Sequence, residues 1–347
     1  MKFLIKYIAP ALLSIVLASC SSMLYTNIDV LRPAKITFPA DIDRVWILNN
    51  SKPQPDDYGH VTELFNEKRR KISVKADSLA IFSLAAFAEA VEEKEFFSIT
   101  GVEYNSLKNG GDFLLTSPPA DSAVADLARK KQVNGIISLN RIIVNDDVAE
   151  IFNQEENTFT AYMEARYEKH WSIHYPEKQQ VFNLITKDTV YWESESYYRQ
   201  RALNGLPDRR DALIDGALIT GGRDVNKFIP FWEEVDRYFF SSNSKAFKQG
   251  MDAVYKKDWD AAVKSWENLL LNSNKYSQKA KVAHNLAVVY EIKGDVEKAY
   301  EYSNIALEYF MNAVIVNYQH LMFVVEQNTS LKARLAELKV LNRQLGE

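Results

Sequence analysis

The chain holds one cysteine in 347 residues, Cys20, and five histidines. A single thiol excludes an internal disulfide and any cysteine-rich metal cluster, so packed cores have to supply stability. Charge of one sign is also lacking. Against 46 acidic residues stand 42 basic ones, a formal balance of −4 that gives no electrostatic reason to bind nucleic acid. Glycine and proline are sparse, at 12 and 10, and the apolar and charged fractions are those of a globular protein of roughly two domains. Long apolar runs are missing. The stretch from Ile8 to Leu17 is far short of the about 20 residues a spanning helix needs, and Pro10 interrupts it. The stretch from Met311 to Val325 is broken by Asn312, Asn317, Gln319 and His320 and reads as a buried or partner-packed helix. The patterns Gly-x-Ser-x-Gly, His-Glu-x-x-His and the phosphate loop are all absent. Nothing calls for a cofactor, and the expectation is a protein that is not an enzyme.

What is present begins at the first residues. Lys2 and Lys6 precede the short apolar run, which ends in Leu17-Ala18-Ser19-Cys20. A charged start, a short apolar stretch and small residues describe a secretory signal. The Leu-Ala-Ser-Cys ending resembles the lipobox of bacterial lipoproteins. That resemblance implies cleavage after residue 19 and lipid on Cys20. Loss of Lys2 and Lys6 leaves 40 basic against 46 acidic residues, or −6. Residues 20–32 then read as a lipidated tether. Ser21-Ser22-Met23-Leu24 carries no acidic run of the kind that resembles a surface-export signal, so the expected place is the periplasmic face of the outer membrane.

Periodicity organises the rest. Arg44 to Asn49 is apolar and β-prone. From Ala76 to Lys94, Leu79, Phe82, Phe87 and Val91 share a helical face. Asp121 to Lys131 reads as a helix, and Gly135 to Asn145 as a strand. From Phe159 to Tyr175 apolar residues alternate with polar ones, the pattern of a strand with one buried face. Pro176-Glu177-Lys178 and Lys187-Asp188 read as turns of an antiparallel meander. Arg209 to Thr220 reads as a helix stopped by Gly221-Gly222, and Val225 to Phe240 as an amphipathic aromatic segment broken near Pro230. The expected fold is an α/β or α+β domain with a mixed sheet and meander over 33–240, followed by an all-α domain over 241–347.

That second domain contains a repeat. Gly250, Asp258 and Ala262 recur 37 residues later as Ala287, Asp295 and Ala299. The pattern resembles two tetratricopeptide repeats, with Lys257 where the family often has glycine. Leu331, Leu335, Leu338, Leu341 and Leu345 make a stripe on a final helix that either caps the repeats or docks a partner. The resemblance implies a concave surface for a protein or peptide. Its partner-facing residues would be Phe247, Met251, Val254, His284, Val288 and Glu291.

Taken whole, with Leu31-Arg32-Pro33-Ala34 and Asp188-Thr189-Val190-Tyr191-Trp192 as its most specific pieces, the chain resembles a tetratricopeptide-repeat lipoprotein family of Bacteroides-type bacteria. That resemblance carries no activity. The α/β part is similar in pattern to a domain shared by the curli-secretion pore lipoprotein and a lipoprotein activator of cell-wall synthases. The expected function is a lipid-anchored, protein-binding adaptor or scaffold. The alternative is an oligomeric ring or pore, or a cell-wall-synthase regulator, built on the α/β domain.

Other constellations carry little. His170 and His174 are four apart on a strand, about 13 Å, too far for one metal ion. His60, His284 and His320 are isolated in sequence. Asp41 and Asp43 precede a strand, as turn carboxylates do, and Asp146-Asp147 reads as a loop pair. Asp188-Thr189-Val190 matches a short glycosylation pattern and also a turn.

Overall fold

The computed structural model describes residues 23–106, 112–115 and 117–346. The signal at residues 1–19 and the lipid site at Cys20 lie outside the described residues. A mixed-sheet region is followed by an all-helical one, and the chain divides into two compact units, residues 34–230 and residues 23–33 together with 231–345.

The strand β1 (Met23–Arg32) belongs to the second unit. In the first, β2 (Arg44–Asn49) sends Val45 and Ile47 to one face and Leu48 to the other, all fully buried. Short β3 (His60–Glu63) and β4 (Arg70–Lys71) follow, then α1 (Leu79–Glu93), β5 (Ile99–Glu103) and α2 (Asp121–Lys131). The long β6 (Gly135–Asn153) runs parallel to β2 in its first part and to β3 further along. Its other edge carries β7 (Thr158–Tyr175) and then β8 (Gln180–Ser196), both antiparallel. A register shift between Leu139 and Arg141 inverts the alternation of β6. Ile137 and Leu139 before it, and Ile142 and Val144 after it, therefore reach the same core.

That core lies under α1 and α4 (Arg209–Phe228), which follows the short α3 (Arg199–Asn204). The opposite face holds a smaller cluster of Leu48, Val124, Ala128 and Ile136 under α2. Buried polar groups tie α4 to the sheet. Lys169 of β7 donates to Thr220 at 2.9 Å and to Asp224 at 2.8 Å. Burial pulls this Lys169 down and Asp224 up, each toward its neutral form. At the start of α4, Arg209 donates to Asp146 at 2.5 Å, and Asp146 also pairs with His60.

Several expectations are corrected. Asp146-Asp147 lies inside β6, and His60 has a partner. Lys187-Asp188 is no turn: β8 is continuous, Lys187 reaching Glu168 across the strand pair at 2.7 Å and Asp188 reaching Arg223 at 3.4 Å. Gly221-Gly222 does not end α4, which continues to Phe228.

The second unit opens with β1 paired along its whole length to β9 (Phe231–Phe240). Residues 23–32 are thus a strand, not a tether, and their partner strand 231–240 lies in the same compact unit. Five helices follow: α5 (Lys245–Tyr255), α6 (Trp259–Asn272), α7 (Tyr276–Ile292), α8 (Val296–Met311) and α9 (Tyr318–Leu345). The first four form two hairpins with matching corners. Asp258 accepts from the Ala261 amide and Asp295 from the Lys298 amide, capping α6 and α8. The residue before each cap is left-handed, Lys257 at φ 56° and Gly294 at φ 81°. The turn needs that conformation, and lysine accepts it at a cost glycine does not meet. Small residues allow close approach at equivalent positions. A Cβ on Gly250 would overlap the buried Trp266 ring, and Ala262 and Ala299 are fully buried.

Candidate functional site

The concave side of α5, α7 and α9 is where a partner segment was expected. Its chemistry suits an extended backbone, and the chain's own β9 occupies it. Asn285 of α7 accepts from the Phe240 amide at 2.8 Å and donates to the Phe240 carbonyl at 2.8 Å. One carboxamide thereby satisfies both main-chain groups of one strand residue. His284 Nε2 donates to the Tyr238 carbonyl at 3.0 Å, and its ring lies 5.7 Å from Tyr238 and 4.6 Å from Phe240. Arg237 of β9 reaches Glu291 through two hydrogen bonds of 2.7 Å, and Arg334 of α9 reaches the same carboxylate at 2.5 Å.

The six residues assigned to a partner are accordingly all inside. Phe247, His284 and Val288 are fully buried, and Met251, Val254 and Glu291 nearly so. Helical spacing identified the correct face of the helices. It could not show that residues 231–240 cover that face, because Val225 to Phe240 reads only as an amphipathic aromatic segment broken near Pro230. No clean strand period says so either, since Trp232 falls with Glu234 and Asp236, and Glu233 and Arg237 fall with Phe231 and Val235.

Burial fixes the electrostatics of the groove. Burial alone would raise Glu291, but the hydrogen bonds and charges of Arg237 and Arg334 outweigh it and hold the carboxyl below its ordinary value. His284, beside the Arg237 charge and cut off from water, is pushed down from 6.5 to about 4, burial being the largest cause. The unfolded chain therefore binds a proton at this position that the folded chain refuses. The His284 contribution should fall as pH drops from about 6.5 to about 4, by about 3 kcal/mol, and level off below, where protonation of Glu291 continues the loss of stability. Half-buried His320, facing Lys281, is lowered in the same sense. Urea unfolding across this range should show a shallower slope in His284→Gln than in the native chain.

Elsewhere the titratable groups are dispersed. Among the described residues no group of three or more His, Cys, Asp or Glu side chains could hold a metal ion. His170 faces Glu168 at 2.7 Å and Arg141 at 3.1 Å, while His174 is buried against Ser172 at 2.7 Å. A cleft of about 400 Å3 lies between the start of α2 and the β7–β8 turn, lined by Asp121, Ser122, His174 and Gln179. Asp41 pairs with Lys178 at 2.6 Å, and Asp43 accepts from Asn134 at 2.9 Å and Ser98 at 3.0 Å. Thr189 is exposed on β8.

The β8 strand leaves a different surface open. Among the described residues it pairs with β7 alone, so the outer edge of this 17-residue strand has no strand partner there, its Thr189 amide turning to the Asp188 carboxylate at 2.8 Å. Phe182, Ile185 and Tyr191 are about half exposed along it.

No curated protein matches the chain. A family model described as a domain of unknown function, DUF6340, matches residues 248–333, within the helical unit. A second, also described as a domain of unknown function, DUF8603, matches residues 42–240, more than half of the sequence. The chain belongs to the DUF8603 family.

Proposed function

We propose that the protein is a non-enzymatic lipoprotein of the cell envelope, anchored through Cys20 at the periplasmic face of the outer membrane, and that it acts as a protein-binding scaffold. The Leu-Ala-Ser-Cys ending of the apolar run supports the anchor. The helical hairpins support a tetratricopeptide-type unit, through caps and left-handed turn residues that recur 37 residues apart. Because that unit's groove holds the chain's own β9, the partner surface lies elsewhere. The observation that carries the reading is the outer edge of β8, long, half-apolar and without a strand partner among the described residues. An extended segment of a partner adds a strand to such an edge, its main chain giving affinity and alternate side chains giving specificity.

The test is site-specific photo-crosslinking in the native envelope, with acyl labelling of the same protein. A photoreactive residue at Ile185 or Tyr191 should capture a protein, and one at buried Met251 should not. Acyl label should be lost in Cys20→Ala. Capture at neither β8 position would remove the scaffold assignment, and an unlabelled native chain would remove the anchor.

A further inference from the structure

The loop between α8 and α9 exposes more apolar surface than a solvated turn has reason to. Val314 is fully exposed, Ile315 85 %, Met311 76 % and Tyr318 73 %. No charged residue occurs from Tyr309 to Val325; Glu308 and Glu326 bracket the stretch. Scattered exposed apolar residues are ordinary, but a contiguous uncharged tip marks a surface that something covers.

The position of Met23 bears on what covers it. Met23 pairs with Phe240. The Phe240 ring lies 6.1 Å from Phe310 and 4.8 Å from His320, which flank the loop on its two sides. The first described residue therefore sits at the foot of this loop, three positions after Cys20. The start of α7 lies at the same end, with Tyr276 5.7 Å from Tyr309 and the Lys279 ammonium 5.4 Å from the Tyr309 ring. Lys275 just before this helix and Lys281 within it flank these contacts. Aliphatic tips, tyrosines beside them and lysines behind suit a phospholipid surface, where apolar side chains enter the acyl boundary and cations meet anionic headgroups.

We propose that the loop Met311–Tyr318 is a membrane-docking element that dips into the bilayer carrying the lipid on Cys20. This rests on the lipoprotein reading for which bilayer is met, but not for the loop's affinity. The lipid on Cys20 supplies the attachment, and the loop adds apolar contact from the fold. It also sets orientation, since two attachments at one end point that end of the helical unit at the membrane.

The single cysteine makes the test direct. With Cys20 acylated, Ile315→Cys offers the one free thiol for an environment-sensitive fluorophore, and Asp260→Cys gives a control beside Lys293, at the opposite end of α8. The acylated chain is placed in vesicles of phosphatidylethanolamine and phosphatidylglycerol bearing spin-labelled lipid. The probe at 315 should shift to the blue and be quenched several-fold more than the probe at 260. Water-like emission at 315 in vesicles would overturn the proposal. So would a shift that appears without vesicles and grows with protein concentration, which would assign the loop to contact between copies. In a separate arm, residues 21–347, which keep every described residue, are mixed with the same vesicles. Changing Val314, Ile315 and Val316 together to serine should weaken binding at least tenfold without altering the melting temperature. Equal binding by both forms would overturn the proposal. Tenfold weakening alongside an unacylated Cys20 would support the loop and overturn only the anchor.

Discussion

Glu291→Gln should destabilise the helical unit by about 3–5 kcal/mol, the cost of breaking a buried ion pair from one side. The Glu291 side chain is wholly buried, while Arg237 and Arg334 are about nine-tenths buried. Two guanidinium groups, one on β9 and one on α9, rely on a single carboxylate of α7. A neutral amide keeps the shape, removes the negative charge and leaves both cations in low dielectric. The loss should appear as a melting temperature lower by roughly 10–20 °C. Replacing Arg237 and Arg334 by Met and Glu291 by Leu together separates charge from packing. The triple variant should lose much less than Glu291→Gln, because apolar groups of similar volume leave no stranded charge. A triple variant as unstable as the single one would show that the cluster acts through shape.

The same cluster shows what periodicity could and could not reveal. The helix Asp121–Lys131 and the alternation of β7 are local patterns, and the structure reproduces both. The matched corners at Asp258 and Asp295 were legible because a turn imposes the same demands wherever it recurs. The partnership of β9 was not. Its hydrogen-bond partner, β1, lies some two hundred positions earlier in sequence, and no local pattern records such a pairing. An amphipathic segment with no recognisable strand partner leaves the groove residues without a cover in the sequence. The association of His60, Asp146 and Arg209 was hidden for the same reason, each coming from a separate segment. The pore alternative also turns on a non-local fact. The apolar face of β7 that would meet lipid, including Met163, Tyr167 and Trp171, lies in the core beneath α1 and α4.

Gly221→Val should destabilise the sheet unit by about 3 kcal/mol or more, whereas Gly222→Ala should stabilise it slightly. The two glycines are neighbours in α4, and helix propensity alone ranks alanine above glycine at both by up to about 1 kcal/mol. Packing separates them. A Cβ on Gly221 would overlap the Ser83 carbonyl oxygen and come within 2.9 Å of its Cα, because α1 and α4 cross there backbone to backbone. No rotamer relieves a clash with main chain, so the helices must separate. Phe87, Trp171 and Phe228, which contact one another between them with ring centroids 4.8 to 5.4 Å apart, would then lose contact. A Cβ on Gly222 meets nothing within 4 Å and restricts only the unfolded chain. Thermal unfolding of the two variants should therefore move in opposite directions. Two losses of similar size would mean that the glycines serve flexibility, and two gains would mean that α1 and α4 do not meet at Ser83.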